Sequence, residues 1–217
     1  MQFAALWDLD GVLADSGPFH FQSWAETLAR CGVVFTEAQF RQTFGMNNTG
    51  ILKLFLGPHT PQARIDEVGD EKEQIFKELI VGKLQALDGA KELLEALRAA
   101  GIPQAIGSSA PQANIDAEID AVGVRPYFSA IISGAKMPGK PHPMVYLTAA
   151  AALGVPPERC VVFEDAIAGV QAAKAAGMCC IAVTSTNPAA ALTVADRVVE
   201  SLRTISVEMV RELVNHP

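Results

Sequence analysis

The stretch FAALWDLDG, residues 3–11, decides how the rest of the chain is read. Its apolar run, 3–7, stops abruptly at Asp8. A run this short suits a strand or a buried helical turn, and the Asp-Gly turn signal that follows favours the strand. Outward from it the chain changes character twice. Over 18–82, Trp24, Leu28, Phe35, Phe40, Ile51 and Leu52 recur at roughly helical spacing, which predicts several helices and no strand. Thr60-Pro61 reads there as an N-cap with proline at the first helical position.

From about residue 84 strands and helices alternate. Asp88 is expected to cap a helix that runs through Leu93, Leu94 and Leu97 and stops at Gly101. Strands are expected at 103–107, 130–132, 160–163 and 179–183, with an edge strand at 197–199. Helices are expected at 112–122, 143–153, 166–176 and 205–214. Strands separated by helices imply a parallel sheet covered on both faces. The expected fold class is therefore α/β: a doubly wound, Rossmann-like core (1–14 and 84–217) with an all-helical insertion (15–83) after the first strand. In such sheets the reactive groups belong at the carboxyl ends of strands, near the topological switch point. That rule selects Asp8, Ser108, the loop 136–140, and Glu164 with Asp165.

Bulk properties narrow the function. The 217 residues are 50% hydrophobic, enough for a substantial core, yet no stretch approaches the roughly 20 apolar residues of a membrane span. The start, MQFAALWDLDG, meets its acids too soon for a signal peptide, so a soluble, cytoplasmic, monomeric protein without a membrane partner is expected. A net charge of −7 without any Lys/Arg cluster argues against nucleic acid as a partner. Cys31, Cys160, Cys179 and Cys180 form no CxxC pair and read as reduced thiols.

Asp8 and Asp10 lie two apart just past a buried strand. They could simply form a turn. An EF-hand loop would need further acids and a preceding helix, and both are missing. If Gly11 permits a tight turn, both carboxylates enter one cleft, where they repel unless a cation or shared proton compensates. A divalent ion held by Asp8, the Asp10 carbonyl and Asp165, with Glu164 assisting, meets that need. Magnesium suits such all-oxygen ligands and commonly bridges carboxylate to phosphate. Asp165 could instead, or also, cap the following helix. Lys140, set between Gly139 and Pro141, is placed to anchor a phosphoryl oxygen, with Lys136 its neighbouring competitor. Ser108 and Ser109 offer hydroxyl and backbone N–H groups to the same oxygens.

These segments resemble the haloacid-dehalogenase-like hydrolase superfamily. DLDGVLADS is similar to its first motif, GSSA to its Ser/Thr motif, GKPHP to its Lys-Pro motif, and VVFEDAIAGVQAAKAAGM to its acidic motif, in matching order. The resemblance implies that Asp8 attacks phosphorus in line to form an aspartyl-phosphate, and that Asp10 serves as general acid and then base. It also implies that Mg2+, Ser108 and Lys140 hold the phosphoryl oxygens. Met144 stands where relatives usually carry an acid behind the lysine, so a changed supporting contact is expected.

The insertion falls where this superfamily carries a helical cap. DSGPFHFQSW resembles the corresponding stretch of beta-phosphoglucomutase and its sugar-phosphatase relatives, including His20, and Lys72, in KEQIF, falls where those proteins carry a cap lysine; the resemblance marks both as cap contacts to substrate. Otherwise His20 would bond a neighbouring carbonyl and Lys72 would lie on a solvated helical face. Asn48 stands where the mutases carry an arginine, and it cannot replace a bidentate cation on a second phosphate. The expected reaction is hydrolysis of a small phosphorylated metabolite, a sugar phosphate or similar monoester. A phosphomutase is the alternative, ahead of a carbon–phosphorus hydrolase or a binding protein that kept the fold.

Overall fold

The computed structural model describes residues 3–215. Six strands form one parallel sheet: β1 (Ala4–Trp7), β2 (Gln104–Ser108), β3 (Ala130–Ser133), β4 (Cys160–Glu164), β5 (Cys179–Val183) and β6 (Arg197–Val199), in the order β3-β2-β1-β4-β5-β6. After β3 the chain returns to the other side of β1, so the switch point lies beside β1. The insertion after β1 carries four helices, α1 (Gly17–Arg30), α2 (Glu37–Thr43), α3 (Asn48–Leu56) and α4 (Gln62–Ile80). Beyond them come α5 (Ala90–Ala99), α6 (Gln112–Val122), α7 (Met144–Leu153), α8 (Ile167–Ala175) and α9 (Val207–Asn215).

The central strands are apolar on both faces because both are covered, and their alternation divides the core in two. Ala5 and Trp7 join a cluster with Leu94, Leu97, Ile115 and Val210. Ala4 and Leu6 join Tyr146, Ala149, Ala172 and Ala173, where the small residues of α7 and α8 let those helices lie close to the sheet. Trp7 stacks on Phe163 at 4.1 Å between centroids and donates its Nε1–H to Gln104 Oε1 at 3.0 Å. One side chain thus ties β1 to both neighbouring strands, immediately before Asp8. The insertion has its own core, in which Trp24, Leu28, Phe35 and Phe40 also meet Ala166 of the sheet domain.

Several helix ends differ from expectation. α4 has Pro61 as its N-cap, and Thr60 Oγ1 instead donates to Gly57 O at 2.8 Å, closing the preceding turn. Asp88 does not cap α5. Gly89, in the left-handed region, takes that place, and Asp88 pairs with Arg203 Nε at 2.6 Å. The last helix begins at Val207, because Leu202–Thr204 forms a short 3-10 turn and Ile205 is extended. Among the described residues no helix is long and apolar enough to cross a membrane.

Candidate active site

Asp8 is placed by the ladder on both sides of β1. Trp7 is in register with Ile106 and Phe163, and Asp8 N donates to Phe163 O at 3.0 Å. Lys140 Nζ lies 2.9 Å from Asp8 Oδ1 and 2.7 Å from Glu164 Oε1. Tyr146 donates to that same Glu164 oxygen at 2.6 Å, and its ring centroid is 4.8 Å from Lys140 Nζ. Glu164 Oε2 accepts the backbone N–H groups of Asp165 and Ala166, both at 2.9 Å. A Cβ at position 169 would fall 1.6 Å from Glu164 Oε1, so glycine there makes room for the carboxylate. Glu164 therefore clamps Lys140 against Asp8. Burial dominates the titration of Asp8, raising its carboxyl to about 8 against the pull of Lys140. Burial opposes the charge on Lys140 too, but Asp8 and Glu164 outweigh it and hold the ammonium above its ordinary value.

Asp165 is fully buried, and its Oδ1 has no hydrogen-bond partner. Burial first, then Glu164 and Asp8, raise its carboxyl well above the usual range. An orphaned charged acceptor costs about 1–3 kcal/mol or more, so its neighbourhood calls for a cation or a proton. Oxygens of Asp8, Glu164 and Asp165 lie within 4.8 Å of one another, an all-oxygen set that fits magnesium. Gly11, at φ +74°, permits this approach, since a Cβ there would sit 2.0 Å from Asp165 Oδ2. Asp165 does not cap α8; Ala166 holds the N-cap position without a side-chain bond.

Asp10 belongs to a second network. Its Oδ1 accepts from Ser16 Oγ at 2.6 Å and lies 2.7 Å from His20 Nε2. Lys72 Nζ is 2.8 Å from His20 Nδ1. An ammonium has only donors, so Nδ1 accepts, and Nε2 carries the hydrogen that Asp10 receives. Burial pushes the Asp10 carboxyl up, but His20 and Ser16 outweigh it and hold it well below the usual range. Glu118 is fully buried with neither oxygen hydrogen-bonded, and it lies within 4.8 Å of Asp10 and His20. Burial, reinforced by the charge of Asp10, raises its carboxyl strongly. The two acids repel unless a proton or a cation lies between them.

The sheet domain and the insertion enclose a cavity of about 40 Å³, lined by Asp8, Asp10, His20, Asn48, Lys72 and Ser109 among others. Ser108, Lys136, Lys140, Glu164 and Asp165 stand apart from that lining. Ser108 is fully buried at the end of β2, and its Oγ accepts from Ala110 N at 3.1 Å. Lys136 is exposed, while Lys140 is buried against Asp8, which separates the two competing lysines. Ser109 Oγ donates to Gly45 O at 2.7 Å, so it presently bridges to the insertion. Asn48 Nδ2 donates to Glu73 Oε1 at 2.8 Å. Met144 is 39% exposed at the start of α7 and supports nothing beneath the lysine; Glu164 and Tyr146 do that. His20 bonds side chains, not a neighbouring carbonyl, and Lys72 is 1% exposed, far from a solvated face.

Sequence reasoning missed Glu73, Asn114, Glu118 and Tyr146. Asn114 and Glu118 carry a legible signal, being four apart on α6 beside its buried Ile115 and Ile119. Polar residues at helical spacing next to an apolar stripe mark groups that turn inward with it.

The haloacid dehalogenase-like hydrolase family matches residues 4–177. The chain is 32% identical over 214 residues to validoxylamine A 7'-phosphate phosphatase of Streptomyces hygroscopicus subsp. limoneus, covering 93% of this chain and 95% of that protein. It is 30% identical over 212 residues to the chloroplastic 5-amino-6-(5-phospho-D-ribitylamino)uracil phosphatase of Arabidopsis thaliana; the match takes in 96% of this chain but only 57% of that protein's length. Among solved structures, beta-phosphoglucomutase from Clostridium difficile superposes with a TM-score of 0.88 at 25% identity, covering 99% and 98% of the two chains. The strand-end acids, the clamped lysine and these matches agree, and the chain belongs to the haloacid dehalogenase-like hydrolases.

Proposed function

We propose that this chain is a magnesium-dependent phosphatase that hydrolyses a small phosphorylated metabolite, a sugar phosphate, through an aspartyl-phosphate on Asp8. The observation that carries this reading is Asp8 held 2.9 Å from Lys140, beside an Asp165 oxygen without a partner. Asp8, the Asp10 carbonyl and Asp165 would hold the metal, which supplies positive charge to the phosphoryl oxygens when bound. Asp8 attacks phosphorus while Lys140 and the groups around Ser108 and Ser109 bind the equatorial oxygens. Asp10, ionised at rest while it accepts from Ser16 and the His20 Nε2–H, must first take up a proton from solvent, which it passes to the leaving oxygen; it regains one from the attacking water. Residues 15–83 act as a cap over a core made of 1–14 and 84–217. The cavity between core and cap is narrow, and we read this conformation as the closed one, from which the cap swings to admit substrate.

The mutase reading keeps one observation in its favour, a buried Lys72 on the cavity wall. Against it, Asn48 supplies no charge and commits its amide N–H to Glu73. Lacking a charge-assisted partner worth about 1.5–3 kcal/mol, a bisphosphate would be held roughly 10- to 150-fold less well. Phosphate release and exchange of hexose 1- and 6-phosphates should be followed together, with magnesium and catalytic bisphosphate present. Release should dominate. Exchange far outrunning release would make the chain a mutase.

A further inference from the structure

Glu73 is a carboxylate for which the proposed chemistry has no use, yet it is buried on the cavity wall at 7% exposure. Both of its oxygens are engaged. Lys72 Nζ lies 3.1 Å from each, Asn48 Nδ2 is 2.8 Å from Oε1, and Asn114 Nδ2 is 2.5 Å from Oε2. These donors come from three helices: α4 itself, α3 of the insertion, and α6 of the sheet domain. A carboxylate so fully occupied binds no substrate group. Its work is to hold others.

The two halves meet through other hydrogen bonds as well. Ser109 Oγ reaches Gly45 O and Asn47 Nδ2 reaches Met137 O at 3.1 Å, both on neutral carbonyls, while Ser16 and His20 reach the Asp10 carboxylate close to where the chain enters the insertion. The Asn114 contact ends on an ionisable group and is buried on both sides. Hydrogen bonds to charged groups are roughly twice as strong as neutral ones, and more sensitive to water. Glu73 is also the chain neighbour and salt-bridge partner of Lys72, which in turn bonds the ring that bonds Asp10.

We infer that Glu73 is a positioning residue that latches the closed cap: by accepting from Asn114 it docks α4 on α6, and docking aligns Lys72, His20 and Asp10 for proton transfer. Closure and alignment are then one event. An open cap leaves Glu73 without its partner on α6 and Lys72 free to swing off the imidazole. The kinetic part of this inference rests on the phosphatase reading; the closure part does not.

Trp24 provides a readout independent of catalysis. It lines the cavity at 3% exposure, with Lys72 Nζ 5.3 Å from its ring. The other tryptophan, Trp7, is fully buried in the sheet and should stay so. Asn114→Ala should shift Trp24 emission to the red in a protein that remains folded by circular dichroism. With magnesium and p-nitrophenyl phosphate, Asn114→Ala and Glu73→Gln should each lower kcat by about 10- to 150-fold, the range for one hydrogen bond to a charged group. The double variant Asn114→Ala/Glu73→Gln should be no worse than the weaker single variant. Exchanging the partners, Glu73→Gln with Asn114→Asp, restores a donor–acceptor pair in the opposite sense and should return the emission toward wild type. Multiplying losses in the double variant, or unchanged Trp24 emission in Asn114→Ala, would overturn the latch. If wild type releases no phosphate from any phosphomonoester, the phosphatase reading fails, and the emission of Asn114→Ala and of the exchanged pair still decides the latch.

Discussion

A buried lysine–glutamate pair lies beneath the cavity floor at Asp8 and another on its roof, and the two are mounted differently. On the floor, Lys140 from the loop after β3 and Glu164 from the last position of β4 lie 2.7 Å apart. Glu164 is held by two backbone N–H groups and Tyr146, so the sheet fixes the pair whatever the insertion does. On the roof, Lys72 and Glu73 are neighbours on α4. Adjacent helical side chains ordinarily diverge. These two converge because the long lysine folds back along the apolar rings of Trp24 and Phe76, 5.3 and 4.9 Å from its nitrogen, while Asn48 and Asn114 hold the carboxylate. The difference teaches that the floor is preorganised by the fold, whereas the roof is organised by contact between two bodies.

The largest expected effect breaks the floor. Lys140→Met leaves Asp8 and Glu164 buried without a counter-charge. Removing one partner of a buried pair costs about 3–5 kcal/mol. Losing a preorganised charge on the reacting group costs roughly 100- to 1,000-fold in kcat. The variant should therefore lose both rate and thermal stability, read by phosphate release and by calorimetry. A Lys140→Met protein as stable as wild type and within a factor of ten in rate would mean the floor pair is not what holds Asp8.

A smaller loss is expected from the roof. Lys72→Met leaves Glu73 with donors from Asn48 and Asn114 and leaves His20 bonded to Asp10. The rate should fall about 10- to 150-fold, and stability by less than for Lys140→Met. Equal destabilisation by the two substitutions would erase the distinction between a preorganised floor and a contact-organised roof.

The same distinction decides what the sequence could show. The floor was legible because strand–helix alternation determines where strand ends fall, and every polar loop there carried a usable residue. That rule selects Asp8, Ser108, the loop 136–140 and the pair Glu164–Asp165, and burial then separates Lys140 from the exposed Lys136. The roof was only half legible. His20 and Lys72 were read from resemblance, and the structure brings them to Asp10. Glu73 was passed over because KEQ on a helix reads as a solvated charged face. Asn114 and Glu118 were passed over because α6 packs on the sheet core, where its next neighbours are isoleucines. Their helical spacing shows that both turn inward, but nothing within α6 says which partner they meet. The expected Asp88 cap gives way to an ion pair with Arg203, 115 residues further along the chain, which nothing near α5 announces.

The smallest expected effect is on stability, and it sharpens the account of the floor through pH. Burial raises the Asp8 carboxyl from an ordinary 3.8 to about 8 in the metal-free protein. A group whose folded value exceeds its unfolded value stabilises the fold fully below the unfolded value, and that contribution is lost as pH rises through the folded one. Asp165, also raised, acts with the same sign. Asp10, lowered by His20 and Ser16, acts oppositely, but its window lies below the ordinary carboxyl value of 3.8. In chelator, the Tm of wild type should therefore fall as pH rises from about 4 to 8. Asp8→Asn removes the charge that must be buried, so its Tm should fall less over this range and lie above wild type at the alkaline end. For a chain of this size each kcal/mol moves Tm by roughly 2–4 °C, within reach of a scanning calorimeter. Magnesium should raise the wild-type Tm and narrow the gap, because a cation between Asp8 and Asp165 compensates the charges that burial penalises. A wild-type Tm that rises between pH 5 and 8 in chelator, or an Asp8→Asn protein less stable than wild type there, would show that the floor acids are held ionised by the protein alone, without need of a metal.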